Sequence, residues 1–497
     1  MKKQGLAGVV FLVGLVGLFI STQAFAGGFV DLIVRQNLEK QLQAETQPSF
    51  PTSLFNWAKD DDERSDSFLS PQSINTTTAG VFEQRIDPSN PQDKRTFHQR
   101  YFLNSAYASG PDAPVFFYIC GESVCSPAHG AAVDYAKLYH GHVVALEHRY
   151  YGTSQPMPTL SSANLKYLKT EYALYDLANF EAYAQNTLNL KGKWIAMGGS
   201  YPGSLSAYYR LKYPQMVVGS LASSGPVQAR ENFELYDWVV NDRAGPQCAR
   251  AIRNVVAVLE NALKNDANAF AAAKHQFQCD GVADPVDFLY IVADMAAAAV
   301  QYGMKDQFCA TLINGGADPV GAYARAGVQA FSALGMAPEE DSFQMAKIED
   351  PMHYASGVGM RQWLYQSCTE YGYFQNAYHD PVQATRSSMI NPAFHRRICQ
   401  ELFGTPPLNT AKIMVNFYQP LLNPAKASRI LFTNGSIDPW ATLSITHENG
   451  NDKNPNTAAM TISGAAHCDD LRGLGPSSTP IGKAQELFSN LVSQWLK

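Results

Sequence analysis

The chain has 497 residues, of which 46% are hydrophobic and 16% are charged, so it is too long and too apolar for a disordered tail or a disulfide-only scaffold. Its formal net charge is −6, and it has no basic run long enough to follow a phosphate backbone, which excludes a nucleic-acid partner. At ~150 residues per domain, the length predicts one main domain with a sizeable second part.

The N-terminal residues have the layout of a secretory signal. Two lysines precede an apolar run from Gly5 to Ile20, and Ala24 and Ala26 provide the small side chains that a signal peptidase requires. We therefore predict a signal peptide over residues 1–26, a secreted or periplasmic mature protein, and no stable membrane insertion after cleavage. An uncleaved anchor is the alternative, although the apolar run is shorter than the ~20 residues of a spanning helix.

Strand-like segments alternate with helix-like segments along much of the chain. Apolar or alternating runs bounded by turn residues predict strands over Val81–Ile86, Thr96–Leu103, Val115–Ile119, His142–Glu147, Trp194–Met197, Val217–Ala222, Ile430–Thr433 and Ala458–Ile462. Helical spacing of apolar residues predicts helices over Ala131–Tyr139, Glu171–Leu188 and Leu205–Leu211. This alternation implies a largely parallel sheet with helices on both faces.

The pattern changes in the middle of the chain to alanine-rich, amphipathic helical sequence, such as Ala249–Phe277 and Tyr290–Tyr302, without a convincing series of strands. Strand sequence returns only at Ile430. A helical insertion within an α/β domain explains this break better than two tandem domains. The predicted parts of the mature chain are residues 27–227 (first part of the α/β domain), 228–425 (helical cap) and 426–497 (second part of the α/β domain).

The most informative segment surrounds Ser200. The strand Trp194–Met197 runs into Gly198-Gly199-Ser200-Tyr201-Pro202-Gly203, and a helical run follows. This order is typical of a nucleophile elbow, in which a tight strand-to-helix turn exposes a serine hydroxyl above the sheet. Pro202 stands where the usual pattern has its last glycine, and the first helical turn tolerates proline. The N–H of Tyr201 is the predicted oxyanion donor. A serine in an ordinary glycine-rich turn is the alternative for this motif alone.

Two later strand ends present the remaining groups of a catalytic triad. Asp438 follows the strand at Ile430, and His467 follows the strand at Ala458. Ser200, Asp438 and His467 occur in the chain order of an α/β-hydrolase triad, each at the carboxyl end of a predicted strand. In that triad the serine attacks a carbonyl carbon, the histidine transfers the proton, and the aspartate orients the histidine. Asp469 competes for the last role, but it is poorly placed to reach the far ring nitrogen.

The loop after the third predicted strand supplies the second oxyanion donor in such folds. Here it carries Gly121 and Glu122, whose amides are the candidates. Glu122 also places a carboxylate near the site, with a solvated loop acid as the alternative. Trp440, Ser204 and Glu122 are the candidate residues of the substrate pocket. For Trp440 the alternative is an ordinary core tryptophan.

Around two triad residues the chain has the distinctive segments Gly198–Gly203 and Asn434–Trp440, and away from the triad it has Phe97–Phe102, Glu147–Gly152 and Leu165–Leu168. With these segments the sequence resembles the prolyl carboxypeptidase family of serine peptidases, which includes dipeptidyl peptidase II and thymus-specific serine protease. Trp363–Gly372 and Gly464–Cys468 are most similar to the thymus-specific branch. The resemblance covers most of the mature chain and implies an α/β-hydrolase with a large helical cap. It also implies the triad Ser200, Asp438 and His467, and hydrolysis of peptides after proline.

Eight cysteines in an exported chain predict disulfides. The only short spacing, Cys120 to Cys125, lacks the second pair that a zinc site needs, so we expect neither a metal nor a cofactor. Cys368 and Cys399 bracket a cap segment and are predicted to pair. Analogy with the family implies a second pair, Cys248 with Cys309. Spacing alone leaves open the pairing of the other four, Cys120, Cys125, Cys279 and Cys468.

The sequence thus predicts an exported serine peptidase, most simply an exopeptidase that cleaves short peptide substrates after proline through an acyl-enzyme on Ser200. An esterase or lipase shares this fold and triad and is the first alternative. A catalytically silent binding protein on a hydrolase fold is the second. The sequence leaves open exopeptidase against endopeptidase action, which chain end is recognised, and whether the protein is a homodimer.

Overall fold

The computed structural model of the protein describes residues 77–404 and 408–497. All of them belong to one compact unit, Ser67–Lys497, and a second unit, Met1–Asp66, lies outside the described residues. The predicted signal peptide, residues 1–26, therefore also lies outside them.

The centre of the fold is an eight-stranded sheet. The strands of the described residues are β1 (Thr77–Arg85), β2 (Thr96–Asn104), β3 (Val115–Ile119), β4 (His142–Leu146), β5 (Trp194–Gly199), β6 (Val217–Ser223), β7 (Arg230–Asn232), β8 (Gly372–Phe374), β9 (Ile430–Gly435) and β10 (Ala458–Ile462). The sheet has the order β1-β2-β4-β3-β5-β6-β9-β10. The two pairings of β2 are antiparallel and the remaining pairings are parallel. All eight strands that the sequence predicts are confirmed.

The helices of the described residues are α1 (Ala131–Leu138), α2 (Ser162–Leu165), α3 (Thr170–Thr187), α4 (Tyr201–Lys212), α5 (Leu235–Ala244), α6 (Pro246–Asn265), α7 (Ala267–Gln276), α8 (Pro285–Gln301), α9 (Lys305–Ile313), α10 (Pro319–Ala333), α11 (Met360–Gln366), α12 (Pro392–Phe403), α13 (Thr410–Ile413), α14 (Gln419–Leu421) and α15 (Pro480–Trp495). Short 3₁₀ segments cover Pro338–Asp341, Phe343–Lys347, Pro351–Tyr354, Pro439–Leu443 and Asp469–Leu471, and π-helical segments cover Ser367–Tyr371 and Met414–Tyr418.

Helices cover both faces of the sheet because its central strands are apolar on both sides. In β3, neighbouring residues point to opposite faces, so Phe116 packs with Val133 of α1 and Val492 of α15. Phe117 packs on the other face, where α3 contributes Phe180 and α4 contributes Leu205. This order of strands, with helices on both faces, is the α/β-hydrolase architecture that the sequence predicts.

The segment between β6 and β9 holds α5 to α14 and is largely helical, in the region where a cap is predicted. It differs from the expectation in two details. β7 and β8 form a small parallel sheet of three residues each, too short to leave a strand pattern in the sequence. The predicted helical stretch Ala249–Phe277 is broken at Asp266, whose side chain accepts hydrogen bonds from the N–H groups of Asn268 and Ala269 and so starts α7.

Three disulfides join Cys120 to Cys125, Cys248 to Cys309 and Cys368 to Cys399. Both pairs expected from the sequence are therefore present in the structure. Cys279 and Cys468 are free thiols, the first buried and the second partly exposed. Within residues 77–404 and 408–497, no helix has the length and apolar character needed to cross a bilayer.

Candidate active site

Ser200 occupies the turn between β5 and α4. Its backbone has φ of +62° and ψ of −132°, a conformation that is strained for a residue with a side chain and is typical of a nucleophile elbow. Its N–H donates to the carbonyl oxygen of Ser223, 2.9 Å away at the end of β6. A Cβ at Gly198 would lie 2.3 Å from the carbonyl oxygen of Pro202, so only glycine permits this tight turn. The sequence around Ser200 thus specifies its geometry.

Asp438 and His467 form a buried hydrogen-bonded pair. The Nδ1 of His467 lies 2.7 Å from the Oδ2 of Asp438, and the two residues are 5% and 2% exposed. The other carboxylate oxygen, Oδ1, accepts the main-chain N–H of Trp440 at 2.9 Å. Burial is the largest single effect and disfavours the charged imidazolium, but the charge and hydrogen bond of Asp438, together with those of Cys468, outweigh it and raise the pKa of His467 well above its usual range.

The loop that carries His467 is held against the ends of β6 and β9. Asp470, which is 5% exposed, accepts hydrogen bonds from the hydroxyls of Ser223 at 2.5 Å and Thr433 at 2.7 Å. A Cβ at Gly199 would lie 2.8 Å from the Sγ of Cys468, so the residues next to Ser200 and His467 in the chain are in contact. The structure therefore brings the three predicted triad segments to one edge of the sheet.

Asp469 has a different set of partners. Its Oδ2 accepts the N–H of Ala466 at 2.6 Å, and its Oδ1 lies 3.0 Å from Nη2 of Arg472. Its carboxylate is therefore engaged within its own loop. Nδ1 of His467 contacts the carboxylate of Asp438 and not that of Asp469.

The loop after β3 lies directly beside the elbow. A Cβ at Gly121 would come within 2.4 Å of Pro202 Cγ, so residue 121 packs on the first turn of α4 without room for a side chain. A disulfide, Cys120–Cys125, closes this loop, and the buried Glu147 accepts the N–H of Cys125 at 3.1 Å. Tyr201 is the first residue of α4, and an N–H at that position has no acceptor within the helix. The predicted oxyanion donors thus lie on adjoining segments.

Glu122 follows Gly121 and is partly exposed. Its carbonyl oxygen accepts the N–H of Gly359 at 2.9 Å, which ties the loop to the insertion. Burial raises the pKa of its carboxyl, against smaller lowering effects of its own main-chain N–H and of His467. The carboxyl of Glu122 is thus close enough to His467 for their charges to interact.

Trp440 lies between the insertion and Asp438. Its indole packs against the rings of Phe233, Tyr236 and Tyr373, with centroids 5.2 to 5.6 Å apart, and is 9% exposed. Ser204, the other uncharged pocket candidate, has no exposed surface on α4. Trp440 is therefore largely buried in the hydrophobic core beside Asp438, and Ser204 does not reach the surface.

The sequence analysis did not identify the residues that the insertion contributes to the site. Tyr302 places its ring edge-on to His467, with centroids 5.9 Å apart. The main-chain oxygen of Gln301 accepts the main-chain N–H of His467 at 2.9 Å. Both residues follow directly on the apolar sequence of α8, and no local pattern distinguishes them from other polar residues at helix ends.

Comparison with known proteins places most of the chain in one family. Residues 84–486 match the sequence model of the family described as Serine carboxypeptidase S28. The match includes all three predicted triad residues.

Two curated relatives are similar over nearly their whole length. The chain is 36% identical to the probable serine protease EDA2 of Arabidopsis thaliana over 414 residues, which is 80% of this chain and 82% of the relative. It is 32% identical to the thymus-specific serine protease of Mus musculus over 456 residues, 84% and 87% of the two chains. Among solved structures, proline iminopeptidase of Mycobacterium smegmatis is similar with a TM-score of 0.38 and 12% identity, covering 83% of this chain and 100% of that one.

Proposed function

Because the chain belongs to the Serine carboxypeptidase S28 family, we propose that it hydrolyses peptide bonds with Ser200 as the nucleophile. His467 is the general base and acid, and Asp438 orients it. The observation that carries this proposal is the 2.7 Å hydrogen bond between Asp438 and His467, at the edge of the sheet where Ser200 occupies a strained turn. Resemblance to the prolyl carboxypeptidase family, which includes the segments around these three residues, supports the same assignment.

The reaction proceeds in two halves. The Oγ of Ser200 bonds to the scissile carbonyl carbon as its proton passes to Nε2 of His467, and the positive imidazolium is stabilised by Asp438. The N–H groups of Tyr201 and of Gly121 or Glu122 stabilise the oxyanion. The C–N bond then breaks, the leaving amine takes the proton from His467, and an acyl-enzyme remains on Ser200. In the second half, His467 takes a proton from water, which attacks the ester carbonyl. His467 then returns this proton to Oγ of Ser200 as the acyl group leaves.

Proline preference is part of the proposal. Trp440 and its aromatic neighbours, whose rings are tilted or edge-on to the indole, contribute an apolar aromatic surface next to the residue that orients the base. A pyrrolidine ring is compact and apolar, and it packs well on such a surface. Ser204 is left out of this pocket because it has no exposed surface.

Exopeptidase action on short peptides is the second part of the proposal. Tyr302 and Gln301 of the insertion contact His467, so the predicted cap, residues 228–425, contributes directly to the surroundings of the base. A site covered in this way admits short or flexible chains and excludes water, which strengthens the oxyanion contacts. Tightly folded proteins are then poor substrates, whatever their proline content.

Export from the cell is the third part of the proposal. Three disulfides among the described residues suit an oxidising compartment, and the first 26 residues have the layout of a cleavable signal. N-terminal sequencing of the exported protein tests this, with Gly27 as the expected first residue.

The decisive experiment is labelling of the intact protein with a fluorophosphonate, followed by mass-spectrometric identification of the modified peptide. We expect modification of Ser200, and Ser200→Ala should abolish labelling and lower turnover on the order of 10⁴-fold or more. Ser206→Ala is the control, because Ser206 lies further along the same segment, on α4, is fully buried, and its hydroxyl has no hydrogen-bond partner among the described residues. Label on another serine would refute the assignment.

Substrate class is tested with the same preparation. Chromogenic dipeptides ending in proline should be cleaved faster than matched dipeptides ending in alanine and faster than short-chain nitrophenyl esters. A preference for the esters would indicate an esterase. A comparison of N-terminally blocked with unblocked proline peptides, and of free with amidated carboxyl ends, identifies the chain end that is recognised.

A further inference from the structure

Gln301 joins the insertion to both members of the acid–base pair. It is the last residue of α8 and is 7% exposed. Its main-chain oxygen accepts the main-chain N–H of His467 at 2.9 Å. The last carbonyl groups of a helix have no partner within the helix. Here the carbonyl of Gln301 accepts the main-chain N–H of His467, the proposed base.

The side chain of Gln301 contacts the other member of the pair indirectly. Its Oε1 accepts the indole N–H of Trp440 at 2.9 Å. The main-chain N–H of the same tryptophan donates to Oδ1 of Asp438 at 2.9 Å. Gln301 therefore fixes the position of the indole whose backbone orients the aspartate.

A third contact anchors the amide itself. Oε1 of Gln301 also accepts the hydroxyl of Tyr236 at 2.7 Å, and Tyr236 lies on α5 of the insertion. One oxygen thus accepts two buried donors, one from the insertion and one from the sheet domain. Among uncharged side chains of this length, only an amide supplies such an acceptor, and a hydrocarbon side chain of similar volume would leave both donors unpaired.

The direction of α8 adds an electrostatic contribution. The carboxyl end of a helix carries a partial negative charge, which favours a nearby cation. The main-chain N–H of His467 donates to the last carbonyl of α8, and the centroid of the imidazole ring lies 5.9 Å from that of Tyr302, the next residue. The imidazolium that forms during catalysis therefore develops near this end of the helix. The same residue therefore contributes both alignment and a favourable field.

We propose that Gln301 is a positioning residue through which the helical insertion aligns His467 and Asp438. The inference rests on the proposed function of this pair and goes beyond it, because it makes the insertion a structural requirement for an efficient base as well as a cover. A displacement of the end of α8 is then transmitted to both residues at once, through the main chain to His467 and through Trp440 to Asp438.

The test compares Gln301→Leu, Gln301→Glu and Gln344→Leu with the unmodified protein. Gln344 is the matched control, because its amide also bridges two parts of the insertion, accepting the N–H of Ala283 at 3.2 Å and donating to the oxygen of Gly281 at 3.1 Å. Gln301→Leu should lower kcat and the rate of fluorophosphonate labelling roughly 10- to 100-fold, with KM within about threefold. Gln301→Glu retains an oxygen acceptor and should recover most of the loss, and Gln344→Leu should label at the normal rate.

A readout without substrate separates this inference from the proposed function. The proton in the His467–Asp438 hydrogen bond should give a low-field NMR resonance, which Gln301→Leu broadens or shifts and Gln344→Leu leaves unchanged, at equal unfolding temperatures. If the unmodified protein is not labelled, the proposed function fails and this resonance still decides the positioning role. The inference is overturned if Gln301→Leu leaves both the resonance and the labelling rate unchanged. It is also overturned if Gln301→Leu and Gln344→Leu lose labelling rate equally, or if Gln301→Leu changes only KM.

Discussion

The main-chain N–H of Cys468 donates to the hydroxyl of Ser224 at 3.0 Å. Ser224 directly follows β6, and its own N–H donates to the oxygen of Thr433 in β9 at 2.7 Å. The loop carrying His467 is therefore fixed to β6 and β9, the two strands between β5 and β10, and the position of His467 depends on the sheet as much as on its own turn.

Replacement of Asp438 should separate its role from that of Asp469. Asp438→Asn should lower kcat by about 10⁴-fold, because the amide favours the wrong imidazole tautomer and no longer stabilises the imidazolium. Asp469→Asn retains an acceptor for the N–H of Ala466 and should keep activity within about tenfold. Steady-state kinetics on a proline dipeptide distinguish the two, and a larger loss in the Asp469 variant would reverse the assignment.

Gly121→Ala should weaken oxyanion stabilisation. The new methyl group would meet the ring of Pro202 at 2.4 Å, so either the loop or the first turn of α4 must move. We expect kcat to fall on the order of 10²-fold with little change in KM. Gly473→Ala is the control, since a Cβ there would make only an ordinary 3.6 Å contact with Asp134. Equal kinetics for the two variants would remove Gly121 from the oxyanion site.

Glu122 should make terminus preference depend on pH. Burial raises the pKa of its carboxyl, so as pH falls through that pKa the group becomes neutral and stops repelling a substrate carboxylate. The ratio of kcat/KM for free over amidated carboxyl ends should therefore rise as pH falls from about 8 to about 4.

Glu122→Gln should hold that ratio high across the same range, because its amide is always neutral. Glu83→Gln changes an exposed acid on β1 and should retain the behaviour of the unmodified protein. A ratio that is flat with pH in the unmodified protein would show that Glu122 does not face the substrate's terminus.

The cysteines should divide into three reactivity classes. After denaturation without reductant, two thiols should be alkylated, and after reduction all eight. In the native protein only Cys468 should react, because Cys279 is buried and burial raises the pKa of its thiol to about 12. Intact-mass measurement of the three samples gives the counts, and modification of Cys279 in the native state would contradict the buried position.

The sheet, and the location of the three triad candidates, could be predicted from sequence because each depends on neighbouring residues. Ser200, Asp438 and His467 each follow a predicted strand, so their location at one edge follows from strand direction alone. The break before α7 was not predicted, although its cause, an N-cap aspartate at Asp266, is equally local.

The contacts of the insertion have no such local cause. Gln301 and Tyr302 reach His467 only because of the way α8 packs against the sheet domain, and an amphipathic pattern reports which face of a helix is buried without reporting its partner. β7 and β8 are defined by their mutual hydrogen bonds, with only three residues each. The Cys120–Cys125 disulfide likewise depends on how the loop after β3 turns.

The separation of β6 from β9 in the chain has a consequence for biosynthesis. The pairing of Ser220 with Ile430 cannot form until the whole insertion has been synthesised, and closing so long a loop slows folding. A nascent chain that ends before Ile430 contains Ser200 but neither Asp438 nor His467. Under the proposed function the chain is therefore inert during most of its synthesis, and proteolytic capacity arises only when the last strands, β9 and β10, join the sheet.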